Sequence, residues 1–136
     1  MKDFELIEHT SDIGIEAYGV TLTEAFVNAA RGMFSIIVEL DGVRETESRR
    51  VELSADDVEG LLFEWLNSLL YYFDVENLLF SGFDVLEFKD TRLVAECRGE
   101  KYDSSRHRLK TGVKSATYHL LEVDRRKNRV RVIFDV

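Results

Sequence analysis

The sequence contains no proline, one cysteine and one tryptophan in 136 residues. A single cysteine, Cys97, excludes an internal disulfide and any zinc knuckle built on cysteines, and its expected place is the core. No window approaches the ~18 uninterrupted apolar residues of a transmembrane helix, so no membrane association is expected. The three histidines, His9, His107 and His119, are too scattered to imply a zinc site by spacing. Phosphate-binding and hydrolase motifs are missing: there is no GxGxxG, GxxxxGK[ST], GxSxG or HExxH. Without proline or a Gly/Ser-rich stretch, nothing marks a linker or an internal repeat, and residues 1–136 read as one domain. The start of the chain, MKDFELIEHT, is acidic and strand-like, unlike a signal or transit peptide, so a reducing, cytoplasmic setting is expected.

What is present is a core and a negative charge. Apolar residues make up 45% of the chain, enough for a globular domain. Lys and Arg number 18 against 26 Asp and Glu, a formal net charge of −8. A chain of that sign is repelled along a phosphate backbone, so direct RNA binding is expected to be weak or indirect. Two stretches depart from it: residues 98–110 carry five Lys/Arg against two acids, and residues 124–131 five against one. Either could contact RNA or an acidic partner, or be a solvated loop, as most charge runs are.

Two segments carry helical periodicity. Leu22, Ala25, Phe26, Ala29, Ala30, Met33, Phe34 and Ile37 form one apolar stripe, opened by Thr21-Leu-Thr-Glu24, which reads as a capping box. Val58, Leu61, Leu62, Trp65, Leu66, Leu69, Leu70 and Phe73 form the second, with Ser54 as the expected N-cap and Asp56 and Asp57 suited to the positive helix end. The rest reads as strands: 4–9, 13–19, a polar edge strand over 43–53, a hairpin of 83–89 and 92–98, and a pair of 113–123 and 128–135. The order ββαβαββββ predicts an α+β fold: a two-layer sandwich of mostly antiparallel or mixed sheet, with the two long helices packed on one face.

Three polar features interrupt these elements. His9-Thr10-Ser11-Asp12 is a polar turn between apolar strands, where Asp12 either satisfies backbone amides or serves a site. Lys114 to His119 is a polar knot inside a strand-like run. The chain stops at Asp135-Val136 directly after Phe134, so the last apolar residues should pin two carboxylates in a sheet.

The residues here resemble the archease family. HTSDIGIEAYGVTLTEAFVNAARGMF is similar to its N-terminal signature, and GEKYDSSRHRLKTGVKSATYHLLEV resembles its second, G-E-x-Y-D…R-H…V-K-A-x-T-Y-H. The likeness covers residues 5–136, and its departures are Ser11 and Ser115, each in place of the usual Ala. The resemblance implies an accessory protein, not an enzyme: an activator of the RtcB-type RNA ligase of tRNA splicing, promoting guanylylation of the ligase and its multiple turnover. It also implies a divalent cation held by Asp12 and Asp135, with the Val136 α-carboxylate as a third ligand. Oxygen donors of this kind favour Ca²⁺, Mg²⁺ or Mn²⁺, and a cation would relieve their mutual repulsion. His9, Arg106, His107, Lys114, Tyr118 and His119 would line that site or contact the partner. Two rivals remain open: a metal-dependent phosphoester hydrolase with His119 as base, and a chaperone-like partner of an RNA-modifying enzyme.

Overall fold

The computed structural model describes residues 2–8 and 12–136. His9, Thr10 and Ser11 of the polar turn lie outside the described residues. Helix α1 (Leu22–Ile37) begins where the capping pattern predicts, with the Thr21 hydroxyl accepting from the Glu24 amide at 3.1 Å. The reciprocal bond is displaced by one residue: the Glu24 carboxylate accepts from the Val20 amide at 3.2 Å, not from that of Thr21. Ala25, Phe26, Ala29, Ala30, Met33 and Phe34 are fully buried.

Helix α2 (Val58–Glu76) starts at Asp57, whose carboxylate accepts from the Gly60 amide at 2.7 Å. Ser54, the expected cap, is instead the last residue of a strand. A carboxylate answers the positive helix end better than a hydroxyl does, and the strand pairing has already claimed Ser54. The helix ends on Asn77 in the left-handed region, φ 58°.

The strands divide into two sheets, and every pairing is antiparallel. In the first, β1 (Phe4–Glu8) and β2 (Ile13–Tyr18) lead to β8 (Arg129–Asp135), whose other edge takes both β6 (Ser115–Ala116) and β7 (Glu122–Asp124). The second has the order β3 (Glu47–Ser54), β5 (Arg92–Lys101), β4 (Leu78–Lys89), with the polar β3 at an edge as expected. The α+β class holds, with one refinement. The strands do not form one sheet covered on one face: α1 packs on β1, β2 and β8 and also on β4, while α2 packs on β3, β4 and β5 and also on β6 and β7. The wide apolar stripes make this sharing necessary. Trp65 sits fully buried at the junction, edge-on to Phe83 at 5.9 Å between ring centroids.

The run 113–123 is not one continuous strand. Between β6 and β7 the chain leaves the ladder over 117–121, with Leu120 at φ 56°. The Thr117 side chain and amide both bond the carbonyl of Ile133, at 2.8 and 3.0 Å, an alternative that ends regular pairing there. At the other sheet, Gly99 admits no side chain, because a Cβ would lie 1.7 Å from the Leu79 carbonyl oxygen. No described helix is long and apolar enough to cross a membrane.

Candidate functional site

Register builds the site. Ile13 of β2 pairs with Phe134 of β8, so Asp12 and Asp135 are the next residues outward on neighbouring strands. Val132 and Phe134 are fully buried and anchor the end of β8. Gly14 lets β8 come close: a Cβ there would lie 2.7 Å from the Val132 carbonyl oxygen and 2.5 Å from the Ile133 side chain. On the far side of β8, Ser115 pairs with Asp135, and the Lys114 amide donates to the Asp135 carbonyl at 2.8 Å. Three segments distant in sequence thus meet at one end of the first sheet, bringing Asp12, Asp135 and Lys114 together. Asp12 is half-buried and Asp135 and Val136 are exposed. Among the described residues no group of three or more His, Cys, Asp or Glu side chains converges on a point. Asp12 and Asp135 are the two expected ligand side chains that the register brings to this end, and Glu8, which pairs with Ile13, lies at the same end of β1.

The remaining expected residues fall in two other places. Tyr118 lies on the 117–121 turn, with its ring stacked on Phe63 of α2 at 4.1 Å between centroids. His119 is exposed beside it. His107 is buried, and both ring nitrogens are engaged. The Asp103 amide donates to Nδ1 at 2.9 Å, which puts the proton on Nε2, and Nε2 donates to Glu100 at 2.8 Å. Arg106 donates to the other oxygen of Glu100. Burial pushes the Glu100 carboxyl upward, but the Arg44 amide at 2.7 Å, His107 and Arg106 outweigh it and hold the group below the usual carboxylate range.

This hub fixes the loop that leads back to the acidic end. Beyond His107, the Lys110 and Thr111 amides donate to the Ile37 and Ile36 carbonyls at 2.8 and 3.1 Å, and Lys110 Nζ donates to the Ser35 carbonyl at 2.7 Å. The last turn of α1 has no basic residue of its own, so Lys110 supplies the positive charge that a helix C-terminus favours. Glu100 was not singled out from the sequence, although it sits inside the G-E-x-Y-D run. Asn67 was missed as well. From the polar flank of α2 its side chain accepts from the Ala116 amide at 2.9 Å and donates to the Ala116 carbonyl at 3.3 Å, clamping β6.

Five of the ten basic residues in the two basic stretches are ion-paired with described residues, Arg106 with Glu100 and Asp103 among them. Arg98 pairs with Glu45 and Asp84, Arg125 with Asp90, and Arg129 and Arg131 with Glu122. Cys97 is fully buried, and burial pushes its thiol up to about 12, which leaves no thiolate nucleophile.

The sequence matches the model of the Archease protein family over residues 4–136. The chain belongs to the archease family. A protein archease from Sulfurisphaera tokodaii is 42% identical over 137 residues, covering 100% of this chain and 99% of that protein. Another from Methanosarcina mazei is 37% identical over 141 residues, with 99% and 97% covered. Among solved structures, the solution structure of protein 1598 from Methanobacterium thermoautotrophicum superposes with a TM-score of 0.82 at 36% identity, covering the whole of both chains. An archease from Thermotoga maritima, described as a "possible chaperone", shares the fold with a TM-score of 0.64 at 22% identity, over 96% of this chain and 94% of that one. Two antiparallel sheets sharing two helices are therefore an architecture this chain has in common with these two structures.

Proposed function

We propose that this chain is an accessory protein that activates an RtcB-type RNA ligase of tRNA splicing, promoting guanylylation of the ligase and its multiple turnover. In a chain of this family, the observation that carries the reading is the register that sets Asp12 and Asp135 side by side at one exposed end. Neither aspartate is in an ion pair with a described residue. Two such carboxylates repel unless a cation lies between them, and the chemistry of the pair fits a hard divalent ion, Ca²⁺, Mg²⁺ or Mn²⁺. Asp12 and Asp135 would hold it with the Val136 α-carboxylate, and the ion would supply positive charge at an otherwise acidic tip. The chain's own part is positional. The buried end of β8 fixes Asp135, and the Lys114 amide holds its carbonyl. A ligase that holds RNA is basic, so an acidic partner is steered toward it.

The hydrolase alternative is less well supported. It needs a base beside the aspartates; among the described residues His107 is engaged at both nitrogens, and His119 is exposed on the 117–121 turn. A chaperone-like role toward an RNA-modifying enzyme is the other alternative, in line with the description of the Thermotoga maritima archease as a possible chaperone. One comparison separates the three. RNA joining by the cognate ligase is followed with wild-type protein and with Asp12→Ala, alongside phosphoester hydrolysis by the protein alone. The activator reading expects stimulation by wild type, its loss in Asp12→Ala and no hydrolysis. Full stimulation by Asp12→Ala contradicts the metal-bearing site, and hydrolysis lost in Asp12→Ala favours the rival enzyme.

A further inference from the structure

Two adjoining hollows, of about 330 and 440 Å³, run along the exposed flank of α2 and share Glu64 as a common wall. β3 forms one bank and the Tyr118 turn the other. Among the described residues neither hollow is lined by a Lys, Arg or His, although such residues are 21 of the 136 in the chain. Carboxylates line both: Asp56, Asp57 and Glu59 at the N-terminal end of α2, Glu64 at the centre and Glu52 on β3. Glu52 is answered by Arg50 and Arg92. Asp56, Glu59 and Glu64 are in no ion pair with a described residue.

Aromatic surface is interleaved with this charge. Tyr118 is 61% exposed and Tyr71 58%, both unusual for large rings. Tyr118 lies flat on Phe63 at an interplanar angle of 14°, so one ring face is fixed by packing and the rest of the ring is open. A guanidinium stacks well on such a face while its N–H groups reach neighbouring carboxylates. From Gly60 to Tyr71 the helix rises about 16 Å at ~1.5 Å per residue, enough for several side chains of a bound segment.

The trough also leads to the acidic tip. Asn67, which lines it, is bonded to Ala116, and Ala116 pairs with Phe134, the neighbour of Asp135. Tyr118 stacks toward the start of α2, so the helix runs past β6 in the direction in which β8 approaches Asp135.

We propose that this trough is a docking surface for a Lys/Arg-bearing segment of the protein partner, with arginine side chains on the Tyr118 and Tyr71 rings and their charges on Glu64 and Glu59. The assignment rests on the ligase-activator reading and adds to it a second contact, apart from the Asp12–Asp135 end. Charge complementarity selects a basic polypeptide: nucleic acid would be repelled along the whole trough. The trough would hold the partner while the tip reaches its active-site region.

The test uses the full chain and the purified cognate ligase. Dissociation constants are measured at low and high salt for wild type, Glu64→Lys, Glu59→Lys with Glu64→Lys, and Tyr118→Ala. Glu96→Lys is the charge control, since Glu96 is exposed on β5 and lines neither hollow. The double reversal should weaken ligase binding at least tenfold at low salt and flatten its salt dependence. Tyr118→Ala should weaken binding several-fold, and Glu96→Lys should change it less than twofold. Thermal melts confirm folding, and calorimetric titration with Mn²⁺ reports the tip independently and should be unchanged. Ligase binding unchanged within twofold in the folded double variant overturns the trough alone, as does an equal loss in Glu96→Lys. No binding of wild type to the ligase overturns the activator reading and the trough's occupant together.

Discussion

The indole of Trp65 lies wholly within the core and donates its N–H to the Phe26 carbonyl at 3.0 Å, so its removal leaves a cavity and takes away a buried hydrogen bond that helix α1 accepts. Trp65→Ala should cost about 3–5 kcal/mol in denaturant unfolding. An unchanged midpoint with weakened partner binding would show that the ring serves recognition and not packing. Glu100 is the residue whose effect depends on pH. Its carboxyl is held below its ordinary range in the folded protein, so the stability it contributes is present above the unfolded value of about 4.3 and is lost as pH falls through the lower folded one. The difference in melting temperature between wild type and Glu100→Gln should therefore be large near neutral pH and shrink below about pH 4. A difference that grew on acidification would contradict the hydrogen-bonded, ionised Glu100. At the acidic tip, Asp12→Ala and deletion of Asp135-Val136 should each abolish Mn²⁺ or Ca²⁺ binding by calorimetry while the fold persists. The double change should cost little more, because both remove one site. Unchanged cation affinity in the folded truncation would mean that the chain end is not a ligand.

At the level of elements, the helix starts test how local sequence is read. Asp57→Ala removes the α2 cap and should cost about 0.5–2 kcal/mol, whereas Ser54→Ala should cost far less, because Ser54 ends β3 and caps nothing. Equal costs in denaturant unfolding would put the start of the helix at the wrong residue. Both stripes were legible because the 3.6 period survives any tertiary context, and Thr21 was legible because a hydroxyl followed three residues later by Glu has few other uses. The start of α2 was not: Ser54, Asp56 and Asp57 can all cap, and the choice fell to the pairing of Ser54 with Arg92, a contact far away in sequence. The split of 113–123 was hidden for a similar reason. Thr117 and Asn67 end and clamp β6 through bonds to Ile133 and Ala116, and no period records such contacts. At the proposed site, Asp12 and Asp135 were singled out through the family resemblance, and their adjacency is a matter of register. His107 is a ring locked onto Glu100, a partner that only the folded loop brings within reach.

Over the whole molecule, the charge is arranged rather than merely negative. The net −8 leaves little for a polyanion to hold, and four of the ten basic residues in the two stretches pair with Glu45, Asp84, Asp90 and Glu122. Acidic side chains in no ion pair with a described residue remain on the flank of α2 and at the tip, and it is to these surfaces that the proposed basic protein partner is assigned. Two sheets sharing two helices hold these surfaces on one rigid frame, in which the tip is set by buried Phe134 and the flank by buried Trp65, Leu66 and Leu69. Activation of a ligase is tested most directly by the turnover of that ligase. The cognate RtcB-type ligase is mixed with excess RNA halves, with and without this protein at one tenth of the ligase concentration, and joined RNA is counted per ligase. An activator gives many joining events per ligase, against about one without the protein. Joined RNA that stays at one per ligase at every ratio of the two proteins would contradict the account.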